Sequence, residues 1–252
     1  VSVLDAVIIV LAGMGAGTIN AVVGSGSLIT FPTLVALGYP PLLANVSNNI
    51  GLVPGSISGV YGYRRELVGQ SARLTRLVPA SVLGACVGAA LLLTLPTSVF
   101  DSVVIVLIAI ALVMVVAQPT LTARVAAARG GHPDRHREVT IVVQVLVALT
   151  GVYGGYFGAA QGIVLISILG IMIDDHLQRL NACKNVLAGS VNAVAAVIFV
   201  ITTDVDWAIV ACIAVGSTIG GQVGARYGRR LDPRALRALI VVVGLIALVR
   251  LL

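Results

Sequence analysis

Long apolar stretches, parted by short polar or glycine-rich breaks, divide the chain into ten segments. They lie at about 3–22, 26–38, 42–62, 74–94, 98–118, 139–158, 162–173, 177–201, 207–227 and 233–252. Most have the roughly 20 residues a helix needs to cross a hydrocarbon layer about 30 Å thick. Segments two and seven have only about a dozen, and each follows a break, Gly24-Ser-Gly-Ser27 or Ala159-Ala-Gln-Gly162. They are too short for an upright span and predict half-helices that begin inside the bilayer. Runs such as 103–116 do not alternate, which excludes the strands of a transmembrane barrel.

The segments fall into two matching sets. With a shift of 136, Asn45 matches Asn181, Asn49 matches Asn185, Gly84 and Gly88 match Gly220 and Gly224, and Leu95 matches Leu231. A series in one register reads as a duplication. Arginines decide its orientation. Arg64, Arg65, Arg73 and Arg76 flank one link, and Arg124, Arg129, Arg135 and Arg137 fill the central one. Arg226, Arg229, Arg230, Arg234 and Arg237 surround a third. Basic links stay on the cytoplasmic side. The link 202–206 carries Asp204 and Asp206 and no base, so it reads as external, although it corresponds to the arginine-rich link 63–73. Equivalent links on opposite sides require an odd number of crossings per copy.

The expected fold is therefore an all-α polytopic membrane protein with an inverted-topology duplication. Each repeat has five segments, giving about eight full spans plus two half-helices, with both termini outside. Residues 1–118 form repeat one, 119–138 a cytoplasmic linker and 139–252 repeat two. Composition agrees: 58% of residues are hydrophobic and 10% charged. The first segment lacks the basic flank and cleavage pattern of a signal peptide and reads as a span. The expected location is the cytoplasmic (inner) membrane, with the lipid bilayer as partner and a homo-oligomer allowed.

The net charge of +6 reports topology rather than nucleic-acid binding. Cys86, Cys183 and Cys212 lie inside apolar runs and suggest neither a disulfide nor a zinc site. His132 and His136 in the central link are weak evidence for metal. Asp174-Asp175-His176 reads as a solvated segment end. No nucleophile–base pair stands out, so neither an enzyme nor a cofactor is expected.

The candidate chemistry lies in segments three and eight. Lys184 is the only lysine of the chain and sits within an apolar run. An ammonium in hydrocarbon needs a polar cavity or a partner. Helical spacing puts Asn181, Lys184, Asn185 and Asn192 on one face of segment eight. Asn45, Asn48 and Asn49 share a face of segment three, with Ser56 further along. All ten acidic residues fall at segment ends or in links, so no carboxylate neutralises Lys184 in mid-membrane. A lone cation among amides suits a small anionic substrate. Half-helix N-termini would add amide groups and the positive dipole end, with Ser25, Ser27, Gln161 and Asn20 as further donors. Transmembrane asparagines also serve as interhelical glue, and small residues as packing surfaces. The arrangement predicts a secondary transporter for a small anion, or alternatively a passive small-anion channel.

The run Gly17-Thr-Ile-Asn-Ala-Val-Val-Gly-Ser-Gly-Ser-Leu-Ile-Thr-Phe-Pro32, followed by Pro40-Pro-Leu-Leu-Ala-Asn45, resembles the sulfite exporter TauE/SafE family of membrane permeases. The stretch from Gly151-Val-Tyr-Gly-Gly-Tyr-Phe-Gly158 through Asn185 is similar to that family's second repeat. The resemblance covers essentially the whole chain and implies transport of sulfite, sulfonates or other small sulfur-containing anions and organic acids. The chain departs from the pattern at three points. Serine, alanine and glutamine replace some break glycines, Ser167 stands where a proline is expected, and the lysine lies in the second polar helix, not the first.

Overall fold

The computed structural model describes residues 1–129, 139–228 and 232–251. It is all-helical across them. The order is α1 (Val3–Val22), α2 (Ser27–Ala36), α3 (Pro41–Gly62), α4 (Ser71–Thr94), α5 (Thr97–Arg129), α6 (Ile141–Tyr156), α7 (Gln161–Met172), α8 (Leu177–Thr202), α9 (Trp207–Tyr227) and α10 (Pro233–Leu251). The ten expected segments are these ten helices, with two differences. Helix α5 continues through Pro119 to Arg129, so the first eleven residues assigned to the linker are helical. The alanine-rich stretch 126–128 carries the helix on, because alanine is the best helix former. Helix α6 has 16 residues, about 24 Å at 1.5 Å per residue, and is shorter than an upright span. The rest of the central link with its histidines, and Arg229 and Arg230, lie outside the described residues.

Among the described residues five helices combine a span's length with its apolar composition: α1, α4, α5, α8 and α9. Helix α3 has the length, at 22 residues, but carries the asparagines. Large apolar side chains such as Leu83, Val113, Ile201 and Val249 point outward. That suits a polytopic protein whose surroundings are hydrocarbon.

Both breaks are built alike. The N–H groups of Val23 and Gly24 converge on the Ile19 carbonyl, and those of Phe157 and Gly158 on the Tyr153 carbonyl. Gly24 and Gly158 take positive φ, 91° and 79°, which glycine adopts without penalty at a helix C-terminus. The breaks then meet, with the Gly162 N–H donating to the Gly24 carbonyl at 2.9 Å. The approach is so close that a methyl on either glycine would collide with the other.

The helices pack across the two halves. Gly216, Gly220 and Gly224 of α9 rest on the backbone at Val10, Met14 and Thr18 of α1, four residues per step in both chains, so the pair runs parallel. Gly84 and Gly88 of α4 rest in the same way on Ala148 and Val152 of α6. Helix α3 joins the first pair through Gly51 and Gly55, and α8 joins the second through the Ser81 hydroxyl, which donates to the Leu187 carbonyl. The interior between α3 and α8 holds the buried polar residues.

Candidate functional site

Helix α8 brings Asn181, Lys184 and Asn185 against the end of α1. The Lys184 side chain is 1% exposed, and its Nζ donates to the Asn20 carbonyl at 3.0 Å. The Nδ2 atoms of Asn181 and Asn185 donate to the Ala21 carbonyl at 3.0 and 3.3 Å. Carbonyls in the last turn of a helix lack intrahelical donors, and a helix C-terminus carries partial negative charge. Two amides and one cation therefore close the interrupted α1. Asn45, the match of Asn181, does the same for α6, with its Nδ2 donating to the Tyr156 carbonyl at 3.0 Å.

The candidate residues thus separate into two groups. Asn20, Ser27, Gln161, Lys184, Asn185 and Asn192 line one small cavity between α3, α8 and the two breaks. Asn45, Asn48, Asn49, Asn181 and Ser25 do not reach it. Asn49 Nδ2 donates to the Asn45 carbonyl at 3.1 Å. Asn48 Nδ2 donates to Ser27 Oγ at 3.1 Å and its Oδ1 accepts from the Thr30 hydroxyl. Ser25 is buried, its hydroxyl without a partner among the described residues. While Asn49 bonds back to Asn45 within α3, interhelical bonding, not cavity lining, is the geometry of Asn45, Asn48 and Asn181. The lysine and Asn185 combine both.

The cavity measures about 30 Å³, room for roughly two waters at about 10–15 Å³ each. Gln161 lines the cavity, but its amide packs on Gly154 of α6, where Nε2 is buried with no hydrogen-bond partner among the described residues. Ser56 supplies a hydroxyl-bearing residue, and Gly55, Gly59 and Gly158 supply backbone. Ser56 was readable from its place on the polar face of α3. Thr30 was not, because nothing in its local sequence distinguishes it from a packing threonine.

Both half-helices begin at this cavity, since Ser27 opens α2 and Gln161 opens α7. The amide groups there are less free than the sequence suggests. The Gly26 N–H goes to Asn20 Oδ1 at 2.8 Å, Leu28 N–H to the Ser25 carbonyl, and Gly162 N–H to the Gly24 carbonyl. Bonds within and between the two breaks take up these three donors, and the dipole ends of both half-helices face the space.

Among the described residues, none that lines the cavity is acidic. The carboxylate of Asp175, in the link before α8, is not the solvated group expected from the sequence. It pairs with Arg73 and with Arg179, each at 2.9 Å. Burial alone would raise its pKa, but the two guanidinium groups and the His176 N–H hold it below the usual value. Among the described residues no group of three or more His, Cys, Asp or Glu could hold a metal.

The model of the family "Sulfite exporter TauE/SafE" matches residues 9–251. The chain is 30% identical over 248 residues to the probable membrane transporter protein ORF9 of Sinorhizobium sp, covering 94% of this chain and 88% of that one. It is 27% identical over 242 residues to the probable membrane transporter protein YfcA of Escherichia coli K12, covering 95% and 86%. A probable membrane transporter protein of Haemophilus influenzae is 22% identical over 232 residues, covering 91% and 88%. No solved structure gives a significant match. A match across nearly the whole chain, on a helical fold with apolar spans and broken helices, places it plainly: the chain belongs to the sulfite exporter TauE/SafE family of membrane transporters.

Proposed function

We propose that the protein is a secondary transporter of a small anion, a sulfur oxyanion or sulfonate, in the cell's inner membrane. The anion binds between α3 and α8. The observation that carries this reading is the buried ammonium of Lys184 on the wall of a cavity without a carboxylate. A buried cation without a counter-charge favours an anion beside it. Lys184, Asn185, Asn192, Asn20, Ser27 and Gln161, which line the cavity, contact the substrate. Asn45, Asn48, Asn49, Asn181 and Ser25 hold the frame around it.

The carrier is an inverted duplication, residues 1–118 against 139–252, with the link 119–138 between them. Contacts support it by mapping onto each other. Exchanging α1 to α5 with α6 to α10 turns α1·α9 into α6·α4, α3·α9 into α8·α4 and α2·α10 into α7·α5, and returns α3·α8 and α5·α10 to themselves. Residue contacts follow: Gly220 on Met14 corresponds to Gly84 on Ala148, and Gly224 on Thr18 to Gly88 on Val152. The ends also differ in charge. Burial first, then the Asp5 and Asp206 carboxylates, raise the pKa of Tyr39, so these three share one end. Arg73, Arg179 and the link 63–70 share the other, through the bonds of Arg179 to Asp175 and to the Val68 carbonyl. The arginine-rich end is cytoplasmic. Inverted repeats with a central site between broken helices are the architecture of alternating-access carriers.

The test is flux in proteoliposomes for sulfite, thiosulfate and short sulfonates. Saturable, mutually competitive uptake is expected. Its absence for every anion removes the proposal, and discrete single-channel currents would replace the carrier with a channel.

A further inference from the structure

We propose that Gly59 sets the upper size of the anion that the cavity admits; this rests on the transport reading above. Glycine weakens a helix interior relative to alanine, so a helical glycine needs a reason. Packing supplies one for its neighbours. A methyl at Gly51 would lie 2.6 Å from Ile213 Cβ, and one at Gly55 2.6 Å from Ser217 Cβ. At Gly62 it would collide with Ala225. The cavity's other glycines are fixed as well, Gly24 and Gly162 by each other and Gly158 by its positive φ of 79°.

Gly59 is different. It is buried on α3, yet outside its own helix a methyl there would meet one atom, Ala21 Cβ, at an ordinary 3.7 Å. A buried position with open space at its Cβ, among residues that line a cavity, has that cavity as its space. Helix packing does not require the missing side chain; the volume of the cavity does. Gly59 lies three residues from Ser56 and so shares its face of α3, opposite Lys184, Asn185 and Ala188 of α8 across the gap. With about 30 Å³ available, one methyl removes a large share.

The experiment compares wild type, Gly59→Ala and Gly51→Ala in proteoliposomes. The anions form a size series: nitrite, sulfite, methanesulfonate and ethanesulfonate. Melting temperature is measured alongside. Gly59→Ala is expected to keep or raise the melting temperature and to move the cut-off down by about one heavy atom. The first excluded anion should lose about 10- to 200-fold in uptake efficiency, the discrimination one methylene gives in a fitted pocket. Gly51→Ala, which clashes with Ile213 and lies outside the cavity lining, should instead melt lower with no size-dependent change. A Gly59→Ala protein with an unshifted cut-off, uptake reduced equally for all anions, or a marked fall in melting temperature overturns the proposal. Wild-type protein that carries none of the anions overturns the transport reading as well.

Discussion

The surroundings of Asn45 and of Asn181 begin as the same device and end as different places. Each asparagine donates to a carbonyl at the interrupted end of the other half's first helix, Tyr156 for one and Ala21 for the other. Three residues on, the pair diverges. Asn48 is neutral and locked between Thr30 and Ser27, whereas Lys184 keeps a face on the cavity. Bulk diverges too. Around Asn45 the rings of Tyr156, Phe157, Phe31 and Phe100 stack edge to face, with Phe31 and Phe157 centred 5.1 Å apart. At the corresponding end of α1 stand Ala21, Val22 and Val23. Aromatic rings fill the space at the end of α6, whereas the end of α1 borders the cavity. On the proposed duplication, two or three side chains decide which copy is open.

Several changes break or sharpen that contrast. The largest effect is expected from Lys184→Met, which keeps most of the volume and removes the charge. Anion affinity should fall by about 10- to 150-fold, the loss of one charge-assisted contact worth about 1.5–3 kcal/mol. Equilibrium binding or thermal shift with sulfite reads it directly. If folded Lys184→Met protein binds as wild type does, the lysine is only the cap of α1 and the contrast between the halves has no functional content. Lys184→Arg need not restore binding, since guanidinium is planar and larger.

Next come the glycine seams, where the halves should behave alike. Gly17→Ala would drive a methyl into the Ser217 carbonyl, and Gly88→Ala one into the Val152 carbonyl. Each should destabilise by about 1–3 kcal/mol, the usual range for overpacking. The lowering of the denaturation midpoint in mild detergent measures it. A neutral result at one seam would show that the two packings are not equivalent.

The ionic cluster joins Asp175 and Arg179 of the Lys184 half to Arg73 of the other half, in which Tyr39 occupies the place of Asp175. Asp175→Asn should cost about 1–2 kcal/mol near neutral pH, in the range of charged hydrogen bonds. The folded pKa of Asp175 lies below its ordinary value, so its contribution is complete above about pH 4–5. It is lost as pH falls through the folded pKa. Wild-type melting temperature should therefore drop more steeply below pH 4 than that of Asp175→Asn. Parallel curves would mean that another carboxylate governs the acid limb. The smallest effect is expected from Asn192→Ala, two turns beyond the lysine. One neutral hydrogen bond is worth about 0.5–1.5 kcal/mol, or roughly 2- to 10-fold in affinity. A loss as large as that of Lys184→Met would move the substrate deeper along α8.

Much of this was readable from the chain. The apolar runs located all ten helices, with the ends of α1 and α9 at their expected residues, because hydrocarbon length and glycine breaks are local properties. The glycines matched at a shift of 136 occupy matching seams for the same reason. Helix α5 was cut short at Pro119, since a proline in a continuous helix looks like a terminus when neighbours are invisible. The division of the asparagines was hidden as well. Periodicity gives the face a side chain occupies but not the acceptor it meets, and the acceptor of Asn181 lies 160 residues away. Gly59 looked like its neighbours because a sequence does not record the space beside a missing side chain.

The exchanged caps have a consequence for how the protein is made. The carbonyl of Ala21 takes its donor from Asn181, 160 residues later in the chain. At roughly 5–20 residues per second, synthesis of that interval takes about 8–32 s. Throughout it the broken end of α1 is already in or near the membrane without its partners, where an unbonded carbonyl is costly. The first half must therefore wait at a wet interface, against lipid headgroups or in the insertion machinery. Its deep placement becomes favourable only when α8 arrives. Assembly of the second half is in this sense the last insertion step of the first.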